Sequence, residues 1–189
     1  MKIFALAALG VVFATTTNAQ TDDADDNHTV AINIPEVAIL DLESKSGTAI
    51  SLAVEAPKEA GEAVDFSNAV NKDVWVNYSS IVGKTENSRD VSAKISKNDV
   101  PDGMLLKVTA SADAGNGDGK MGTSSGEVTL SNKDQKVISG IGSCYTADGA
   151  GSGHNLKYAL ELDPAKKSYE KIDFDQDVTL TITYTISNK

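Results

Sequence analysis

The stretch DVTLTITYTISNK, residues 177–189, decides the fold class of this chain. Large apolar residues alternate there with threonine and serine, which is the pattern of a β-strand with one face in a core and the other in water. The predicted apolar face consists of Val178, Leu180, Ile182, Tyr184 and Ile186. A shift of one residue would bury the hydroxyl groups and expose the large side chains, so the register is strongly specified. We therefore expect this strand to close a sheet as the last element of the fold.

Similar short runs recur along the chain, with turn residues between them. The other predicted strands are 48–54, 73–79, 91–97, 104–111, 127–131, 136–141 and 155–162, together with a first run that begins at residue 29. Only residues 57–63 (PKEAGEA) have a helical pattern. About nine short strands with almost no helix predict an all-β fold, a β-sandwich whose two sheets bury their inner faces against each other. A β-barrel is the alternative.

The first run, TVAINIPEVAILDLE (residues 29–43), is interrupted by Pro35. Val30, Ile32 and Ile34 alternate with smaller or polar residues before that proline. Because proline has no N–H to donate to a sheet, the run predicts an edge strand or two strand pieces joined at a kink.

The beginning of the chain has the layout of a secretory signal peptide. Met1-Lys2 is followed by an apolar run over residues 3–14 and by small residues up to Ala19, which predicts a signal peptide over 1–19. The apolar run is too short for a membrane-spanning helix. Residues 20–28 form an acidic segment expected to be a flexible tail, and 29–189 are expected to form a single domain.

The formal net charge of the chain is −10, and this charge disfavours binding to nucleic acid or to anionic membrane surfaces. Together with the signal peptide, it predicts an exported protein of the periplasm, the cell surface or the extracellular space. No membrane span is expected in the mature chain.

Cys144 is the single cysteine, so no disulfide can form within one chain. We expect a buried, inert thiol; a disulfide-linked dimer and a reactive nucleophile are the alternatives. His154 lies ten residues further on, and catalysis by this pair would require its imidazole within hydrogen-bond reach of the sulfur. The preferred interpretation is a buried thiol and a loop histidine without a catalytic role.

The glycine-dense stretch SADAGNGDGKMGTSSGE, residues 111–127, is the best candidate for a metal-binding loop. Asp113, Asn116 and Asp118 supply oxygen donors, but Lys120 and Met121 occupy positions where a calcium loop needs a ligand and a glycine. A flexible loop between strands is therefore preferred to a calcium site. No cofactor is expected.

Trp75 lies in DVWVNYSS (residues 73–80), between Val74 and Val76. Alternation with valine is typical of a strand that is covered on both faces, so an interior anchor is expected. The alternatives are an exposed platform that stacks on a sugar ring and a subunit interface.

The C-terminal third, VTLSNKDQKVISGIGSCYTADGAGSGHNLKYALELDPAKKSYEKIDFDQDVTLTITYTI (residues 128–186), resembles secreted pilin-like and spore-coat-U-like β-sandwich proteins. The chain is also similar to small uncharacterised secreted proteins of Gram-negative bacteria, in NYSSIVG (77–83) and VPDGMLLKVTASADAG (100–115). This resemblance implies an immunoglobulin-like domain and assembly by β-strand addition, for which TVAINI (29–34) is a conceivable donor. A self-complete monomer that uses its own first strand is the alternative.

These features predict a non-enzymatic structural or adhesive protein of the cell envelope or surface, with copies of itself or other envelope proteins as partners. A carbohydrate-binding module, with Trp75 or loop tyrosines stacked on glycans, is the alternative. An enzyme is not expected, because no set of nucleophile, base and orienting group stands out.

Overall fold

The computed structural model describes residues 25–96, 100–165 and 167–189. The predicted signal peptide (1–19) and part of the acidic segment (20–28) lie outside these residues. The chain divides into two units, of which Met1–Asn33 is the first and the compact Ile34–Lys189 is the second. Within the first of these, residues 25–33 contain no strand or helix and their side chains are exposed. No helix in the described part of the chain is long and apolar enough to cross a membrane.

The compact unit is an all-β sandwich, as predicted, and its two antiparallel sheets are not closed into a barrel. In the described residues the strands are β1 (Val37–Ser44), β2 (Val70–Ile81), β3 (Arg89–Ile95), β4 (Met104–Asp113), β5 (Asp118–Gly119), β6 (Thr123–Ser124), β7 (Glu127–Thr129), β8 (Gln135–Ile141), β9 (Cys144–Tyr145), β10 (His154–Leu162) and β11 (Ile182–Asn188). The first sheet has the order β5-β9-β2-β10-β4-β7, and β1 also pairs with β2. The second sheet has the order β11-β3-β8-β6.

The core lies between the two sheets and is mainly aliphatic. Alternate residues of each long strand point inward, as the two-residue period of a strand requires. The buried cluster is Val74, Val76, Tyr78, Val91, Ala93, Leu106, Val108, Ala110, Leu130, Val137, Ile138, Ile141, Cys144, Leu156 and Tyr158. Aliphatic side chains thus fill most of the interior, and two tyrosines contribute the aromatic part.

Some predicted elements are not formed. Residues 48–54 are not a strand, although Ile50 and Leu52 pack against the core from an extended segment. The first run forms a strand only after Pro35, where β1 begins at Val37. Residues 57–63 form a turn instead of a helix, and the short helix of the structure is a 3-10 turn at Tyr169–Lys171.

The predicted C-terminal strand is confirmed, but it begins later than expected. Ile182, Tyr184 and Ile186 are half-buried on one face of β11, and the threonines between them are exposed. Val178 lies outside the strand and is exposed. Leu180 precedes the strand and still packs against the core.

Arg89, the only arginine of the chain, joins strands of both sheets at the start of β3. Its side chain is buried, and a guanidinium offers five donors in a fixed plane, which lysine cannot do. It donates to Val37 O (2.6 Å), Ser80 Oγ (3.0 Å), Ile81 O (3.0 Å) and Asn188 Oδ1 (2.9 Å), and it forms an ion pair with Glu36. We call this group the arginine clamp; it ties β1, β2, β3 and β11 together.

Candidate functional site

The outer edge of β11 is a candidate interaction site, because its backbone groups have no partner strand. In the described residues β11 pairs with β3 alone, without a register shift. Thr181 O accepts a hydrogen bond from Ser96 N (3.0 Å), and Lys189 N donates to Ser88 O (3.3 Å), so odd-numbered residues face β3. In an antiparallel strand the residues between them face the other way. The N–H and C=O groups of Ile182, Tyr184 and Ile186 therefore point to the free edge.

The other sheet edges are less suited to pairing. β1 carries Asp41 and Glu43, and the N–H of Leu42 donates to Asp41 Oδ1 (2.8 Å). Charged side chains keep an edge strand from pairing with another chain, and a backbone N–H that already donates to a side chain of its own strand cannot donate to a second strand. The edge strands β6 and β7 have only two and three residues. β11 has seven residues, Ile182–Asn188, with no charged residue and no proline.

The apolar face of β11 is held firmly against the core. Tyr184 Oη lies 2.8 Å from Tyr158 Oη of β10, which joins the second sheet to the first. Burial raises the pKa of Tyr158 to about 12. The pKa of Tyr184 is also raised, mainly by burial and to a smaller extent by the neighbouring Tyr158. Both phenols therefore remain protonated at neutral pH and can share the hydrogen bond.

The segment 29–34 shows the alternating pattern of a strand without being one. Val30, Ile32 and Ile34 have relative exposures of 69%, 84% and 71%. A large apolar side chain with such exposure forfeits about 1.5–3 kcal/mol of burial free energy. Three of them at two-residue spacing form one apolar face that remains in water.

Trp75 is not the interior anchor that the sequence predicts. Val74 and Val76 are buried in the core, so the indole of Trp75 points to the opposite, outer face of the first sheet, where it is half-buried. Its cross-strand neighbours are Glu43 of β1 and Asn155 of β10. The side chain therefore lies on a polar outer surface, between a carboxylate and an amide.

The predicted oxygen donors of the glycine-dense stretch each bond within the protein. Asp113 Oδ2 accepts from Gly115 N (2.8 Å), and Asp118 Oδ1 accepts from Gly119 N (2.7 Å). Asn116 Nδ2 donates to Gly151 O (3.0 Å). Across the described ranges no group of three or more His, Cys, Asp or Glu side chains is placed to share a metal ion. The stretch also contains two short strands, β5 and β6, where the sequence predicts only a loop.

The side chain of Cys144 is buried in the core, as predicted for an inert thiol. Burial, with a smaller effect of the charge of Asp113, raises the thiol pKa to about 11. A thiol with so high a pKa carries little thiolate at neutral pH and is a poor nucleophile.

His154 is not a loop histidine, because it begins β10 and is buried. Its Nε2 lies 2.7 Å from Tyr78 Oη and its Nδ1 lies 2.9 Å from Ser111 O. The ring also stacks on that of Tyr78, with centroids 5.7 Å apart. Both ring nitrogens are therefore engaged with groups other than Cys144, so the contact that the alternative of a catalytic Cys144–His154 pair requires is not formed.

Two residues were not singled out from the sequence, the buried Arg89 and the half-exposed Tyr145. Arg89 was detectable as the only arginine among many lysines. Tyr145 has half of its side chain exposed, and its position depends on two-residue strands that carry no periodic signal.

Comparison of the chain with protein-family models, with curated proteins and with solved structures found no match.

Proposed function

We propose that this chain is an exported, non-enzymatic structural or adhesive protein that associates with copies of itself by β-strand addition. Residues 29–34 of one copy would add to the free edge of β11 in the next. The observation that carries this proposal is the uncharged, unpaired edge of β11. The signal-peptide pattern and the acidic charge support a location in the periplasm, at the cell surface or outside the cell.

The donor and acceptor segments match in length and character. Three residues of the free edge, Ile182, Tyr184 and Ile186, offer six backbone groups, and a six-residue extended segment can bond them all. Neither segment carries a charged side chain, so no repulsion opposes pairing. Pro35 follows the donor directly and, having no N–H, ends the pairing there.

The energies favour reversible assembly. Burying three exposed aliphatic side chains contributes about 5 kcal/mol, and six backbone hydrogen bonds contribute about 3–9 kcal/mol. Association itself costs about 4–15 kcal/mol in lost motion. The two sums are of similar size, so we expect oligomers whose length depends on protein concentration.

Light scattering after size-exclusion chromatography at several protein concentrations tests the proposal. The exported chain should form oligomers that grow with concentration and dissociate on heating. Ile32→Asn should abolish them, because it places an amide in the apolar face of the donor. Thr183→Lys with Thr185→Lys should do the same by placing charges on the acceptor edge.

Phe174→Asn is the matched control, since Phe174 is 92% exposed and lies outside both segments. Its oligomers should equal those of the wild type. A wild-type chain that stays monomeric at every concentration, or an Ile32→Asn variant that assembles normally, would refute assembly by strand addition.

Carbohydrate binding is the second candidate function, and the position of Trp75 favours it. An indole on the outer face, flanked by Glu43 and Asn155, combines an apolar platform with hydrogen-bonding groups. A glycan array probed with the wild type and with Trp75→Ala tests this function. If neither protein binds any glycan on the array, carbohydrate binding is excluded.

A further inference from the structure

A surface depression of about 440 Å³ opens beside Tyr145. Its lining includes Val37, Ser79, Ile81, Asp118, Ser143 and Tyr145. Cavities of a few hundred cubic ångströms, mostly apolar and with a few polar groups, are the usual size and character of small-ligand sites. The depression is formed by β1, β2, β5 and β9 and is separate from the free edge of β11.

The strand register places four side chains in one row, and three of them, Ser79, Asp118 and Tyr145, line this depression. Tyr145 pairs with Ser79 on one side and with Asp118 on the other, and Ser79 pairs with Ile39. Directly opposed residues in adjacent strands share a face, with Cβ atoms about 4.5–5.5 Å apart. Cys144, the neighbour of Tyr145 along β9, is buried, so the row lies on the outer face of the sheet. An exposed phenol ring is thus flanked by a carboxylate and a hydroxyl group.

The glycines around Asp118 explain how the carboxylate reaches this position. A Cβ atom on Gly117 would lie 1.8 Å from Tyr145 O, and one on Gly119 would lie 2.3 Å from Ser143 O. Gly119 also has a φ of +100°, which other residues rarely adopt. Glycine is therefore required on both sides of Asp118 for β5 to lie against β9. The hydrogen bond from Gly119 N to Asp118 Oδ1 then fixes the carboxylate.

We propose that this depression binds a neutral pyranose sugar. The apolar face of a pyranose ring stacks on an aromatic side chain such as that of Tyr145. The sugar hydroxyls can donate to the carboxylate of Asp118, and a charged acceptor makes such a hydrogen bond stronger than a neutral one. Ser79 supplies a further hydroxyl group. A neutral sugar fits better than an acidic one, because a second carboxylate would be repelled by Asp118.

This site deepens the second candidate function and is independent of assembly through β11. It differs from a platform at Trp75, which lies on the same outer face but four residues from Ser79 along β2, or about 13 Å. Variants at the two positions therefore distinguish this site from carbohydrate binding elsewhere on the sheet.

The test is a glycan array of neutral and acidic sugars, followed by titration of the bound glycans by NMR with the full exported chain. We expect neutral glycans to bind and to shift the backbone resonances of Tyr145 and Gly119. Tyr145→Ala should weaken binding by about tenfold, which corresponds to about 1.4 kcal/mol. Asp118→Asn keeps the acceptor for Gly119 N but removes the charge, and should weaken binding by about fivefold.

Tyr169→Ala removes another exposed tyrosine far from the depression in sequence and should leave binding unchanged. Tyr145→Phe should retain most of the affinity, since it keeps the ring. Failure of every neutral glycan to bind would overturn the proposal. Binding lost in Trp75→Ala but kept in Tyr145→Ala would leave the carbohydrate function standing and overturn this site. Resonance shifts caused by apolar peptides and not by glycans would overturn the sugar assignment.

Discussion

The hydroxyl pair between β10 and β11 allows a quantitative test of how the last strand is held. Tyr158 is almost fully buried, and its hydroxyl lies 2.8 Å from that of Tyr184. Tyr184→Phe removes one partner and leaves the Tyr158 hydroxyl without a hydrogen bond. A buried hydroxyl left in this state costs about 1–3 kcal/mol. We therefore expect the free energy of unfolding to fall by about 2 kcal/mol.

The double variant makes the test specific. Tyr158→Phe should cost a similar amount, because the Tyr184 hydroxyl, whose pKa burial also raises, then loses its partner. Removing both hydroxyls leaves no unpaired polar group, so Tyr158→Phe/Tyr184→Phe should be more stable than Tyr184→Phe alone. The two single effects should therefore not add, as is usual for residues in contact.

Urea unfolding followed by the fluorescence of Trp75, the single tryptophan, measures these differences. A loss of 2 kcal/mol should also lower the melting temperature of a protein of this size by about 4–8 °C. A Tyr184→Phe variant as stable as the wild type, or single effects that simply add in the double variant, would show that the hydroxyl pair does not hold β11 to the core.

Further predictions concern the clamp, the glycines, the last strand and pH. Arg89→Leu should lower the free energy of unfolding by about 2–6 kcal/mol in urea, because the carbonyl groups of Val37 and Ile81 lose their donor at a cost of about 1–3 kcal/mol each. Gly117→Ala should break the pairing of β5 with β9, seen as faster amide exchange there, since its Cβ would overlap Tyr145 O. Deleting residues 177–189 should abolish cooperative melting, because β3 loses its neighbour and the core loses half-buried side chains. The pKa of Tyr158 is raised to about 12 in the folded chain, so the unfolded chain releases this proton first. The contribution of the Tyr158 hydroxyl to stability should be complete below about pH 10 and should be lost as the pH rises towards about 12. The free energy of unfolding should fall there by up to about 1.4 kcal/mol per pH unit. A free energy of unfolding that stays constant between about pH 10 and pH 12 would contradict the burial of the Tyr158 hydroxyl.

The long strands were predictable because their side chains alternate between core and water. The predicted runs 104–111 and 155–162 lie within β4 and β10 as found. Residues 48–54 show the same alternation and were wrongly predicted as a strand. Ile50 and Leu52 do pack against the core, but the segment has no partner strand. Alternation reports which side chains are buried and does not report hydrogen-bonded pairing.

The candidate sites were less predictable, because they depend on contacts between distant residues. Trp75 lies between two valines whether the outer face of its sheet is covered or exposed to water. The sequence could therefore not distinguish an interior tryptophan from one on the surface. The position of Tyr145 depends on Gly117 and Gly119, which lie in a stretch that does not match the calcium-loop pattern. The pairing of Asp118 with Tyr145 joins two-residue strands, and no periodic pattern can be detected over two residues.

The arginine clamp has a mechanical consequence in a fibre joined through residues 29–34. Tension on that segment would enter each copy at Glu36 and Val37, where Arg89 binds. A pull along the axis of β1 loads its hydrogen bonds to β2 in parallel, so they must break together and not one by one. Through Asn188 the same guanidinium passes part of the load to β11. Stretching force would thus be shared between the two sheets at the point where it is applied.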